Sequence, residues 1–242
     1  IMKHSLYVSL GILIFIFVGC TPSAYLLRPN ESIAPAIKTV SLLPPKVEVF
    51  EVSAGGSYDK KDDWSQKGND NIQAGIVTAM KKYSDIHFSI LKIDSTQSIQ
   101  KNILQDADAL YDAVNRSIAA HAYLSSINYF HGKRENFQYA IDTSIQSLDT
   151  TADAFLLIRA KDYVASSGRT AVQVASVLVG AFAGIRVTPN SLPTEVETAL
   201  IDRRTGQVIW HSMVAENGTY TLRDETAESS LFTKMFKGIP LK

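Results

Sequence analysis

The run Ala154-Phe-Leu-Leu-Ile158 is the strongest constraint on what this chain can become. Five apolar residues without a polar interruption describe a strand covered on both faces, and such a strand requires helices above and below its sheet. The continuation Arg159-Ala-Lys-Asp-Tyr-Val164 alternates, so the far half of the same strand is expected to have one wetter face. Around it, shorter strands are expected at Lys38–Leu43, extended past Pro44-Pro45 by Val47–Val52, and at His87–Ile93. The two prolines lack the N–H that a ladder needs and should interrupt the strand.

Helical spacing separates these strands. Ile72, Ile76, Val77, Met80 and Tyr83 form one stripe, and Asp63 stands where a cap would. Ile99, Ile103, Ala107, Leu110, Tyr111, Val114 and Ile118 form a longer stripe, opened by Ser95 or Thr96 and running toward Tyr129. A short helix is expected over Ser144–Asp149. Glu195–Asp202 and Gly206–Ala215 flank Asp202-Arg-Arg-Thr-Gly206 and predict a hairpin. Ala227, Leu231, Met235 and Phe236 predict a closing helix ended by Gly238 and Pro240. The expected fold class is α/β (α+β): a mixed sheet of about five strands with helices packed on it, a C-terminal hairpin and a closing helix.

The chain has one cysteine, Cys20, so no intramolecular disulfide forms and stability must come from an ordinary core. Ahead of it, Lys3 and His4 lead into an apolar stretch from Leu6 to Val18, short of the roughly 20 residues that span a bilayer. Phe17-Val18-Gly19-Cys20 resembles the lipobox of bacterial lipoproteins. The resemblance implies cleavage before Cys20, a diacylglyceryl group on its sulfur and an acylated new amino terminus. An uncleaved anchor and ordinary signal cleavage are the alternatives. Thr21 in place of an aspartate implies, by the same resemblance, the outer membrane facing the periplasm. The expected organisation is a signal peptide over 1–19, an acylated cysteine and flexible tether over 20–36, and one periplasmic domain over 37–242. The tether rests on Pro22, Pro29 and Pro35 and on weak periodicity.

Removing the residues before Cys20 also removes Lys3 and leaves 23 basic against 24 acidic side chains. A near-neutral balance argues against nucleic acid, which needs a concentrated basic field, and against a polybasic membrane patch. The sequence has no Gly-x-Ser-x-Gly elbow, no P-loop and no His-Glu-x-x-His, and His87, His121, His131 and His211 are scattered. Neither a catalytic residue, a metal site nor a cofactor is therefore expected. Asp59, Asp62 and Asp63 lack the alternation of a calcium loop and read as a solvated turn. Ser166-Ser-Gly-Arg169 reads as a loop leaving a strand, with an anion cradle as the alternative. Trp64 and Trp210 read as core or hairpin anchors.

Val40-Ser-Leu-Leu-Pro-Pro45, Glu48-Val-Phe-Glu-Val-Ser-Ala-Gly-Gly56, Asp63-Trp64, Ala152–Ile158, Ser166–Arg169 and Ala199–Trp210 together resemble a group of bacterial envelope lipoproteins. More distantly they resemble the α/β domain of the curli-secretion channel lipoprotein and of lipoprotein activators of penicillin-binding proteins. The resemblance implies an anchored, non-enzymatic accessory or structural component of a secretion, transport or cell-wall machine, in contact with other envelope proteins. A ring-forming homo-oligomeric subunit of an outer-membrane secretion channel, and an enzyme whose site is not visible in sequence, are the alternatives.

One internal stretch has its own case for contact. Ala171–Ile185 has no charge and contains Gly180-x-x-x-Gly184, a spacing that allows close helix approach. Fifteen residues make only about 22 Å of helix, short of the bilayer core. Val177, Val179, Gly180, Phe182 and Gly184 are the candidate interface residues. The first expectation is a buried or partly buried helix; a subunit interface and membrane contact are the alternatives.

Overall fold

The computed structural model describes residues 24–27, 37–93, 98–123, 138–182, 192–217, 221–224 and 228–241. Its spine is β6 (Ala154–Ala165), twelve residues long, and its first five residues are buried as their apolar run requires. β2 (Thr39–Leu42) pairs in parallel with the first part of β6, and β3 (Lys46–Val52) pairs in parallel with the second. Leu43-Pro44-Pro45 separates them, so one edge of β6 is served by a strand broken at the two prolines. β5 (His87–Ile90) pairs in parallel with β2, and β4 (Tyr58–Lys60) pairs antiparallel with β3.

On the other edge of β6 lies β7 (Pro193–Asp202), antiparallel over nine residue pairs. β8 (Val208–Asn217) returns from it through the expected turn. Asp202 builds that turn: its Oδ1 accepts the Arg204 and Thr205 amides, each at 2.9 Å. Gly206 closes it at φ +69°, where a Cβ would also meet the Asp142 carbonyl oxygen at 2.6 Å. β1 (Ala24–Leu26) adds antiparallel to β8.

The sheet thus has eight strands where the sequence reading expected about five. One of the three extra strands arises because Pro44-Pro45 divides β2 from β3, and the other two, β1 and β4, are three-residue edge strands too short to carry a period of their own. β1 corrects the tether: Ala24–Leu26 hydrogen-bonds to the domain, and Leu27 behind it is fully buried.

Helices cover both faces. α1 (Asp62–Met80) and α4 (Glu228–Met235) bring Ile72, Ile76, Met80, Phe232 and Phe236 against Val40, Leu42, Val49, Leu156 and Ile158. α2 (Ser98–Ile118), continued by a π-helical turn at Ala119–Tyr123, brings Tyr111 and Ile118 against Leu43, Phe155, Leu157 and Ile201 on the opposite face. A 3-10 turn at Thr143–Ser147 adds Ile145 to that second core. Asp63 lies in the first turn of α1 and not at its cap, which is Lys61. Trp210 is fully buried in β8, whereas Trp64 is half-buried under the Arg223 guanidinium, 4.0 Å from its ring centroid.

The α1–α4 contact depends on Gly75. A Cβ there would lie 1.9 Å from Phe232 Cε2, against the side of a ring wedged between two helices. Gly75→Ala is therefore expected to lower stability by about 2 kcal/mol through overpacking. Urea denaturation measures it, and an unchanged midpoint would show that the ring moves freely.

Candidate functional site

Among the described residues, the second half of β6 is only partly covered on its α2 side. Alternation along β6 turns Arg159, Lys161 and Tyr163 toward the α2 side, after Phe155 and Leu157 have filled the core there. The register sets two rows across three strands: Lys46–Arg159–Glu197 and Glu48–Lys161–Glu195. With Asp112 from α2 they line a cavity of about 280 Å³. Ion pairs join these rows to α2 and β4. Lys46 Nζ lies 3.0 Å from Asp108 Oδ2, and Lys60 Nζ lies 3.2 Å from Glu48 Oε1. Arg159 donates to both Asp108 and Asp112, and stacks its guanidinium 4.7 Å from the Tyr111 ring centroid.

Behind this surface runs a buried polar chain. Burial raises the Glu197 carboxyl, and a hydrogen bond from Asn115 partly offsets that. Asn115 thus directs its amide at Glu197, and its Oδ1 faces His211 Nε2 at 2.8 Å. Tyr123 Oη stands 2.9 Å from His211 Nδ1. This pattern assigns the neutral imidazole with its proton on Nε2, so that Nδ1 accepts from Tyr123. Burial lowers the pKa of His211 to about 4. With both ring nitrogens committed, the group ties α2 to β8. The other described histidines are an exposed His87 and a His121 held 3.1 Å from Tyr139 Oη; His131 lies outside the described residues. Among the described residues no three His, Cys, Asp or Glu side chains converge on a point that would suit a metal ion.

At the far end of the open face the rows become aromatic. Phe50 and Tyr163 stack with centroids 5.5 Å apart, and Tyr58 meets Tyr163 edge-on at 5.6 Å. With Leu192 and Pro193 they shape a depression of about 350 Å³.

The same end of the sheet launches α3 (Ser167–Phe182). Ser166 caps it, its Oγ accepting the Arg169 amide at 3.2 Å, while the Arg169 guanidinium reaches the Ser53 carbonyl. The Ser166–Arg169 phrase is thus a helix cap. Over the described part of Ala171–Ile185 the helix is covered on one side only. Val172, Val174, Leu178 and Val179 are 54 to 67% exposed. Arg169, Gln173 and Val177, at i, i+4 and i+8, form the half-buried side toward the domain, so the apolar side faces out. Hydropathy alone assigns the apolar side inward; here the helix leaves the sheet end and has no sheet face beneath it. No described helix is long and apolar enough to cross a membrane.

Of the sequence-predicted residues, Val179 is on the outward side of α3 and Val177 on the inward side. Gly180 and Phe182 belong to its last turn, while Cys20 and Gly184 lie outside the described residues. The charged rows and the aromatic rim escaped the sequence reading, because strand pairing across Pro44-Pro45 sets them. The period-two positions Lys46, Glu48, Phe50 and Arg159, Lys161, Tyr163 were the available signal.

No family model and no curated protein matches the sequence. Among solved structures, the chain is similar to a PelC dodecamer from Paraburkholderia phytofirmans, at 13% identity over 86% of this chain and 91% of that one, with a TM-score of 0.37. It is similar to lipoprotein GNA1162 from Neisseria meningitidis at 11% identity, over 85% and 95% of the two chains, with a TM-score of 0.32. The LpoB C-terminal domain from Salmonella enterica follows at 11% identity, 76% and 87% coverage, and a TM-score of 0.28.

Proposed function

We propose that this chain is an acyl-anchored lipoprotein of the outer membrane facing the periplasm, a non-enzymatic accessory or structural component of a cell-envelope assembly. The observation that carries the reading is the open half of the β6 face. The row Glu48–Lys161–Glu195 alternates in sign across its three strands, the row Lys46–Arg159–Glu197 sets two cations beside one carboxylate, and Arg159, Lys46 and Glu48 are already ion-paired. Such a surface, with four cationic and four acidic side chains around the cavity, has no net field to concentrate a charged small molecule. Complementary rows of both signs instead give register to a protein partner and select against wrong ones. Position 20 supplies the anchor, and the domain between 37 and 241 supplies the contact.

Two measurements test the reading. Cells labelled with radioactive palmitate should yield a labelled protein in the outer-membrane fraction, and Cys20→Ala should lose the label and the fractionation together. A photocrosslinker at Arg116, beside the rows, should give a discrete adduct with an envelope protein. Lys161→Glu should reduce that adduct about tenfold, because a like charge then faces Glu48 and Glu195 and the partner. An adduct that is absent, or indifferent to the reversal, argues against partner binding here.

A further inference from the structure

We infer that the end of the sheet from which α3 projects faces the membrane, with the outward side of α3 lying in the lipid surface. The inference rests on the acyl-anchor reading of Cys20 and adds the orientation of the domain.

Strand directions make the first argument. β6 ends at this end of the sheet, β7 begins there, and β8 finishes there with Asn217 opposite Pro193. β1 enters with Ala24 opposite Ser212 and Leu26 opposite Trp210, so the chain is already running away from this end. Position 20 precedes Ala24 by four residues, which span at most about 14 Å. The five residues from Ser212 to Asn217 cover about 17 Å of strand. The leash is therefore short, and its entry direction points back to the end that carries α3. A tether of sixteen free residues would have left the domain's orientation open; β1 removes that freedom.

The composition of that end makes the second. The outward side of α3 presents Val172, Val174, Leu178 and Val179 to the exterior. Between Asp162 and Glu195 the sequence has no carboxylate, and its charged residues there are Arg169 and Arg186. An apolar helix side within a stretch free of acidic residues suits the headgroup–acyl boundary of a phospholipid layer. Tyr58, 63% exposed, and Tyr163 stand at the same end, as amphipathic rings do at membrane interfaces. A second copy of the chain or a protein partner would also cover an apolar side, but neither accounts for a short acyl leash directed to the same end.

Because Cys20 is the chain's only cysteine, a nitroxide can be placed alone at Val179→Cys, with Arg204→Cys in the β7–β8 turn at the opposite end as reference. The acylated protein is reconstituted in vesicles of phosphatidylethanolamine and phosphatidylglycerol. The label at 179 should be about fivefold less accessible to an aqueous nickel chelate than the label at 204, and more accessible to oxygen. Equal accessibility at the two positions overturns the inference. In the Cys20→Ala protein, replacing Leu178 and Val179 together by Asp should reduce vesicle flotation about tenfold, with circular dichroism unchanged because both side chains are exposed. A label at 179 that is shielded without vesicles, in a species of doubled or higher mass, assigns the face to a second copy and also overturns it. If the mature protein carries no acyl mass, the anchor reading fails, and the 179 label on added vesicles still decides where α3 lies.

Discussion

Asp162→Ala is expected to destabilise the protein by about 4 kcal/mol, the largest effect of any single substitution considered. Its carboxylate is 1% exposed in the second half of β6. Oδ1 accepts the Thr194 hydroxyl at 2.8 Å, and Oδ2 accepts the Thr221 hydroxyl at 2.9 Å and the Leu222 amide at 3.0 Å. These bonds fasten residues 221–224 to β6 and β7, while Asn71 of α1 donates to the Leu222 carbonyl from the other side at 2.9 Å. Alanine would leave three donors buried without an acceptor and would free the segment that leads into α4. Asp162→Asn keeps one acceptor oxygen and should cost about half as much. Thermal and urea denaturation read both; a Tm within about 3 °C of the parent for the alanine variant would show that water takes over the acceptor role.

Stability should fall by about 3 kcal/mol between pH 7 and pH 4 through His211 alone. Burial holds its imidazole at about 4, against an ordinary value of 6.5. The unfolded chain therefore binds a proton that the folded chain refuses throughout that interval. The contribution of the neutral group is complete above pH 6.5, declines as pH falls through the window, and is gone near 4. Glu197, raised by burial, acts in the opposite sense at the lower part of the window, because its folded form takes up a proton first. The carboxyls held low by hydrogen bonds and ion pairs, Asp108, Asp149 and Asp153, act only at more acid pH. His211→Gln isolates the histidine: the difference between parent and variant urea midpoints should shrink steadily from pH 6.5 to 4. A difference that stays constant would mean that the imidazole is hydrated or protonated within the fold.

Much of the architecture was legible from side-chain pattern. The uninterrupted Ala154–Ile158 run called for cover on both faces, and the two cores on either side of β6 supply it. Asp202-Arg-Arg-Thr-Gly206 announced its hairpin because a side-chain acceptor and a left-handed glycine are local requirements. The closing helix was legible from its stripe, of which Leu231 and Met235 lie within Glu228–Met235. The edge strands β1 and β4 were not, since three residues do not establish a period, and β1 moreover pairs with β8, far away in the chain.

The candidate site was less legible for the same reason. That Lys46, Arg159 and Glu197 share a row follows from register between three strands, of which β3 and β6 are more than a hundred residues apart in sequence. The pairing of His211 with Asn115 likewise arises only when α2 lies across β8.

The sequence by itself determined the covered central strand, the strand break at Pro44-Pro45, the Thr-Gly turn and the uncharged stretch from Ala171, because each depends on residues adjacent in the chain. Only the tertiary structure decided which side of α3 is covered. Helical spacing states which residues share a side, but covering a side takes a surface opposite it. The domain places its surface against Arg169, Gln173 and Val177, and leaves Val172, Val174, Leu178 and Val179 exposed.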